Sequence, residues 1–261
     1  MSLIETPLSE KTEETSIPKR KIIIVHRPNI KEWSYGDIIT NYIPNTWEEV
    51  FAKTTNERKT IADVLTAKAL PRYGELCPAK ENIYRAFELT PLPKVRVVIL
   101  GQDPYPQSGV AVGLSFSTSP NNLRIPGSLK NIFKEIKSEY PDFQIPKHGD
   151  LRDWARQGVL LLNMALTVPP GKPKEHTGVW KPFLIKTIRD LAEKKPDTIF
   201  VLWGNEAQKI IPFIGKAPVL VSGHPSPEAV NRGGDFLGNG CFKRVNDILK
   251  KCGEAEIDWQ I

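Results

Sequence analysis

Four short aliphatic runs, at 95–100, 159–162, 198–203 and 218–222, stand out from a mainly polar chain, and each is bounded by Gly, Pro or Asn. Runs of this length without alternation suit strands buried on both faces. Between them the spacing changes. Leu129, Ile132, Phe133 and Ile136 recur at i, i+3, i+4 and i+7 behind Ser128, a residue suited to an N-cap, with charges on the opposite side. Phe183, Leu184, Ile188 and Leu191 repeat the pattern in a helix expected over about 180–193. Shorter helices are expected near 151–156, 205–213 and 241–251, and three more near 47–57, 60–70 and 80–88, ahead of the first strand.

Strand and helix in alternation predict an α/β fold, a single domain with a central four-stranded, mainly parallel sheet flanked by helices. The domain is expected over 46–261. Residues 1–45 read as an N-terminal extension, flexible to at least about position 16, because Ser, Thr and Glu dominate there without an apolar period. Within it, Pro18-Lys19-Arg20-Lys21 has the composition of a nuclear import signal and equally of a solvated basic cluster, and 22–25 is a strand-like or docking run.

In such a sheet, ligands bind outside the carboxyl ends of the strands. Asp103 follows the first run and precedes Pro104, which holds it extended. It reads as a general base or electrostatic stabiliser, or as a turn-starting Asp bonded to its own backbone. Asn163 ends the second run, where its amide either caps a turn or matches the imide edge of a base. Gly204-Asn205 follows the third run. His224 follows the fourth, between Gly223 and Pro225, either as an incidental loop residue or as a donor to an oxygen gaining charge. Tyr105 and Phe116 are aromatic surface for stacking or core, and Ser128 and Ser226 each offer a hydroxyl to a phosphate.

Composition narrows the chemistry. The 261 residues carry a formal charge of +6, and four glutamates against one lysine in the first sixteen positions leave the remainder at +9. A basic body of this kind suits a polyanion. Three widely spaced cysteines without a C-x-x-C pair, and four histidines, argue against a disulfide framework and a zinc or iron–sulfur site, so no metal or cofactor is expected. No apolar run reaches membrane length and the polar N-terminus does not resemble a secretory signal, which predicts an intracellular protein, cytoplasmic if prokaryotic, with the nucleus open through the basic run. The 23 prolines are nearly twice average usage, and nine fall in loops assigned to one face.

The order of five motifs goes further. Gly101-Gln102-Asp103-Pro104-Tyr105, Gly113-Leu114-Ser115-Phe116-Ser117, Gly158-Val159-Leu160-Leu161-Leu162-Asn163, Leu202-Trp203-Gly204 and His224-Pro225-Ser226-Pro227 resemble the signature set of family-1 uracil-DNA glycosylases over about 47–259. The resemblance implies cofactor-free hydrolysis of the deoxyuridine N-glycosidic bond on a flipped-out nucleotide. It implies that Asp103 positions water and stabilises the sugar cation, and that His224 donates to uracil O2. Asn163 is then expected to read the base edge, Tyr105 to exclude the thymine methyl, Phe116 to stack and Gln102 to contribute backbone contacts. DNA would be gripped at Ser128 of Ile125-Pro126-Gly127-Ser128, at Gly204-Asn205, at Ser226 and Glu228, and at His176 in a further DNA-facing loop. The partners implied are single- or double-stranded DNA containing uracil and a DNA-mimicking protein inhibitor, and the enzyme is expected to be a monomer.

Departures from the pattern lie at Pro106 (His in the family), Asn205 (Ser), Gly127 (Pro) and Glu228, which stands where an inserting Leu is expected. A carboxylate is repelled by phosphate and cannot wedge between bases. Flipping is therefore expected to use another residue, Val230 or Asn231, or to be weaker on duplex than on single strands. A non-catalytic DNA clamp, a thymine-mismatch glycosylase and a generic nucleotide-binding enzyme are the rival classes. The retained Asp103 and His224, the Tyr105 ring and the lack of a Gly-rich phosphate loop with a following Lys-[Ser/Thr] stand against them in turn.

Overall fold

The computed structural model describes residues 29–122 and 124–261; the basic run at 18–21 and the apolar run at 22–25 lie outside them. Helices α1 (Tyr35–Asn41), α2 (Glu48–Lys53), α3 (Thr55–Val64), α4 (Leu70–Tyr73) and α5 (Arg85–Leu89) precede β1 (Val97–Gly101). Then follow α6 (Gly127–Glu139), α7 (Arg152–Arg156), β2 (Val159–Asn163), α8 (Thr177–Lys194), β3 (Ile199–Trp203), α9 (Asn205–Gln208), β4 (Val219–Ser222), α10 (Pro227–Asn231) and α11 (Cys241–Lys251). None of the helices among the described residues is long and apolar enough to cross a membrane.

The four strands form one sheet in the order β2-β1-β3-β4, with every pairing parallel. Every residue of β1, β2 and β3 is buried, as uninterrupted aliphatic runs require when helices cover both faces. At the edge, β4 alternates and leaves Val221 half exposed. The chain leaves β1 for β2 on one side and returns to β3 on the other. The carboxyl ends of β1 and β3 thus flank a topological switch point, where the crevice of an open parallel sheet lies.

Helices close the core with aromatic rings. Phe51, Tyr84, Phe87, Trp180 and Phe183 meet mainly edge to face, and Trp154, Phe242 and Trp259 form a second group. Such pairs add to area burial because ring edges and faces carry opposite partial charge. Ile38 and Ile39 of α1 and the following Tyr42 belong to the same core, so the packed domain begins ahead of position 46, the expected start. The helical face Leu129, Ile132, Phe133 and Ile136 is fully buried. Its start differs from expectation: the helix begins at Gly127 behind an extended Pro126, whose carbonyl accepts the Lys130 N–H, and Ser128 sits inside the first turn rather than capping it.

Candidate active site

Gly101, the last residue of β1, pairs in register with Asn163, the last of β2. A Cβ at Gly101 would lie 2.3 Å from Asn163 Oδ1 and 2.8 Å from Ser115 Cβ, so only glycine leaves room for the amide there. Asn163 is 6% exposed, and its amide makes no hydrogen bond among the described residues. The residue is packed while its amide atoms stay accessible, so the strand end offers a donor and an acceptor that a ligand can pair.

Asp103 follows directly, half-buried and held by Pro104. The Lys174 backbone N–H donates to its Oδ2 at 2.6 Å. Burial raises the Asp103 pKa above the ordinary carboxylate value, and the Lys174 N–H and charge oppose this. One carboxylate oxygen is thereby fixed and the charge is poorly hydrated.

Two residues on, the Tyr105 hydroxyl donates to the Phe116 carbonyl at 2.9 Å, which locks the ring. Its other side packs on Cys77, Ala111 and Val168. Burial raises the pKa of the phenol. Phe116 itself has a left-handed backbone, φ 61°, held by buried neighbours on both sides: the Ser115 N–H donates to Leu161 O and Ser117 Oγ accepts from the Leu151 N–H. Such a conformation costs about 1–3 kcal/mol in a residue with a side chain and persists where the surroundings impose it. It presents the ring to Trp203 at 5.3 Å and to the His224 imidazole at 6.3 Å between centroids.

His224 follows β4. The Ser226 backbone N–H donates to its Nδ1 at 3.1 Å, so Nδ1 is an acceptor and the ring proton sits on Nε2. Burial and the Lys174 charge push its pKa below 6.5, against a smaller opposing effect of Glu228. The site therefore holds a neutral imidazole with a free N–H to donate. Gly204, at φ 84°, makes this possible: a Cβ there would stand 2.9 Å from His224 Cβ.

The cleft at the switch point encloses about 340 Å³ and is lined in part by Gln102, Lys174, Gly204, Asn205, His224 and Glu228. Gln102 is half-buried and its carbonyl accepts the Ala165 N–H. Asn205 and Glu228 are exposed on the first turns of α9 and α10. The Ser226 hydroxyl caps α10 by accepting the Ala229 N–H at 3.3 Å. Val230 packs on the core, which leaves Asn231 as the exposed alternative to Glu228 on that helix.

One expected DNA contact does not face outward. His176 is 5% exposed, its Nδ1 lies 3.0 Å from the Thr167 hydroxyl, and the Trp180 indole N–H donates to that same hydroxyl at 2.8 Å. Burial lowers its pKa. This histidine braces the start of α8 from inside rather than meeting a phosphate.

Sequence reasoning also missed residues that act at a distance. The buried Asn131 of α6 donates through its amide to the Pro225 carbonyl at 2.9 Å, and Gly127 lies so close to Pro227 that a Cβ would fall 2.5 Å from Cγ. Asp235 accepts the Gly223 N–H directly before His224. Arg124 and Lys130 are exposed along a neighbouring hollow of about 480 Å³ that also touches Tyr105 and Pro126. Only the glycine after Pro126 and the basic character of this stretch signal any of these in the sequence.

One edge of the sheet thus offers a side-chain amide at Asn163, a carboxylate at Asp103 and a neutral imidazole N–H at His224, with the Phe116 ring beside that imidazole. A model of the Uracil DNA glycosylase superfamily matches residues 87–250. The uracil-DNA glycosylase of Mycolicibacterium vanbaalenii is 40% identical over 224 residues, covering 85% of this chain and 97% of that protein. That of Dichelobacter nodosus is 42% identical over 223 residues, covering 84% and 96%. Among solved structures, mimivirus uracil-DNA glycosylase superposes with a TM-score of 0.78 at 27% identity over 87% of this chain and 89% of its own. A variant of mimivirus UNG in complex with UGI gives 0.80 at 27% identity, covering 87% and 91%.

Proposed function

The chain belongs to the uracil-DNA glycosylase superfamily, and from that membership we infer a hydrolytic DNA N-glycosylase that releases uracil and leaves an abasic site, the opening step of base excision repair. The observation that carries the assignment of its site is Asn163, a nearly buried residue at the end of β2 beside Gly101 whose amide has no protein partner among the described residues.

Uracil presents an N3–H donor beside the O4 acceptor, which the Oδ1 and Nδ2 of one asparagine match. Cytosine reverses that pattern and leaves the buried amide unpaired, the situation in which a site discriminates most strongly. The Tyr105 ring, pinned through its hydroxyl to Phe116, occupies the space beside C5 and rejects a methyl group. Phe116 stacks on the ring. A base inside a duplex cannot reach these groups, so the nucleotide is taken out of the stack.

As the bond from C1′ to N1 breaks, its electron pair passes to uracil and the sugar becomes cationic. The His224 Nε2–H donates to O2, where the negative charge gathers; no proton transfer to the base is needed because an imide anion is a competent leaving group. Preorganised donors aimed at developing charge are worth most in a dry cleft. The Asp103 carboxylate faces the sugar cation. With one oxygen held by Lys174, the other orients a water that adds to C1′ and takes its proton, which is then released to solvent where the uracil anion is protonated. The basic shoulder of Arg124 and Lys130, with Ser128, Ser226 and Gly204-Asn205, meets the DNA backbone, in single strands and in duplex. A protein inhibitor that copies the DNA charge pattern fits the same face, as UGI is bound to a variant of mimivirus UNG.

An oligonucleotide with one uracil, treated with the protein and then with alkali, tests the reading. Cleavage at the uracil alone is expected, and Asp103→Asn should lower the rate about 10³-fold with DNA binding retained. Binding without cleavage by the unaltered protein would sink it.

A further inference from the structure

The cleft expected to receive a polyanion is lined by two carboxylates, Glu206 and Glu228, and by one cation, Lys174, among the described residues. Lys174 is exposed and has a left-handed backbone at φ 70°, in the loop between Thr167 and α8. Side-chain-bearing residues rarely adopt that conformation, and glycine would make the same bend without strain. The bend turns the Lys174 N–H onto Asp103 Oδ2 at 2.6 Å. Its side chain therefore starts one hydrogen bond away from the carboxylate that faces C1′, on a flexible four-carbon stem. The phosphates of the flipped nucleotide flank that same sugar. Glu206 has a partner of its own in Lys209, at 2.6 Å. Glu228, on the first turn of α10, is exposed.

Resting on the glycosylase reading above, we propose that Lys174 is a positioning residue for the reaction, its backbone N–H fixing Asp103 while its ammonium receives the DNA phosphate beside the flipped deoxyuridine. The lysine also acts on the second catalytic group. The charged groups acting on His224 are Lys174, from the loop before α8, and Glu228, from α10; Phe116 and Gly204, which also touch it, carry no charge. The ammonium keeps the imidazole neutral, and the carboxylate opposes it. The Lys174 ammonium thus offsets Glu228 at the mouth, and a phosphate seated on it places the sugar over Asp103.

Three variants separate backbone from side chain: Lys174→Gly, which keeps both the bend and the N–H, Lys174→Gln, and Lys174→Arg. The measurement is kcat/KM on a single-stranded oligonucleotide with one uracil, against salt and against pH. Gly and Gln are expected to lose about tenfold at low salt and to flatten the log–log salt slope by about 0.7, the loss of one phosphate contact. Both should move the acid limb of the pH profile to higher pH. Lys174→Arg should restore slope and limb. An unchanged slope and limb in Gly and Gln would overturn the proposal even if kcat fell, since a purely structural lysine moves neither. Failure of the unaltered protein to release uracil would overturn the glycosylase reading and this proposal together, whereas unchanged profiles with normal release strike Lys174 alone.

Discussion

The two sides of the cleft are built on opposite principles. On the wall formed by the ends of β1 and β2, Gly101, Asn163, Tyr105 and Phe116 are fixed by backbone fit, burial and hydrogen bonds within the protein. On the rim, Lys174, Asn205 and Glu228 are exposed, two of them on helices of four and five residues. In the function proposed above the wall selects the base and the rim holds DNA; a change of one methyl group at Gly101 meets hard atoms, whereas a change on the rim meets water. The departures from the family pattern at Asn205, Glu228, Pro106 and Gly127 all lie outside the wall.

Gly101→Ala is the sharpest way to break that contrast. The added carbon falls 2.3 Å from Asn163 Oδ1, so the amide must move, and displacement of this order at a reacting site costs about 10²-fold in rate. Uracil release should drop by that factor, while affinity for an abasic oligonucleotide, governed by the rim, stays nearly unchanged. Undiminished release would mean that the strand-end fit does not position Asn163.

The pH profile is next in size. Asp103 must be charged, and burial raises its pKa from 3.8; His224 must be neutral, and burial with Lys174 lowers its pKa from 6.5. Protonating His224 puts a hydrogen on Nδ1 against the Ser226 N–H. The rate should therefore be level above pH 6.5 and fall about tenfold per unit once His224 takes up its proton at lower pH. A limb centred above 6.5 would contradict a neutral imidazole shielded by burial and by Lys174. The smallest effect belongs to the rim: Glu228→Leu should raise release from duplex DNA about fivefold and from single strands less than about twofold, as an apolar wedge replaces a repelled charge. Equal gains on both substrates would show that Glu228 acts through general repulsion and not at the flipping step.

Much of the wall was legible from residue order, because its parts sit at strand ends. Four aliphatic runs mark the strands, and whatever follows each run must stand at the same edge, which is where Asp103, Asn163 and His224 lie. What escaped depends on contacts between distant positions. His176 looks like a loop histidine free to meet DNA; its burial depends on Thr167 and Trp180, which a helix start folds over it. Ser128 has the chemistry of a cap, yet Pro126 is already extended and starts the helix sooner. The bend at Lys174 runs against its residue type, so no local propensity announces it. Residues 35–42 join the core through only a few apolar positions, too few to read as periodic.

The tie between α6 and the loop after β4 joins two segments far apart in the chain. Gly127 lies against Pro227 and the Asn131 amide donates to the Pro225 carbonyl, so the turn that starts α6 and the loop that carries His224 are packed as one piece. A side chain added at Gly127 would meet the ring of Pro227 and so press on the loop that carries His224, from a position that is not part of that loop.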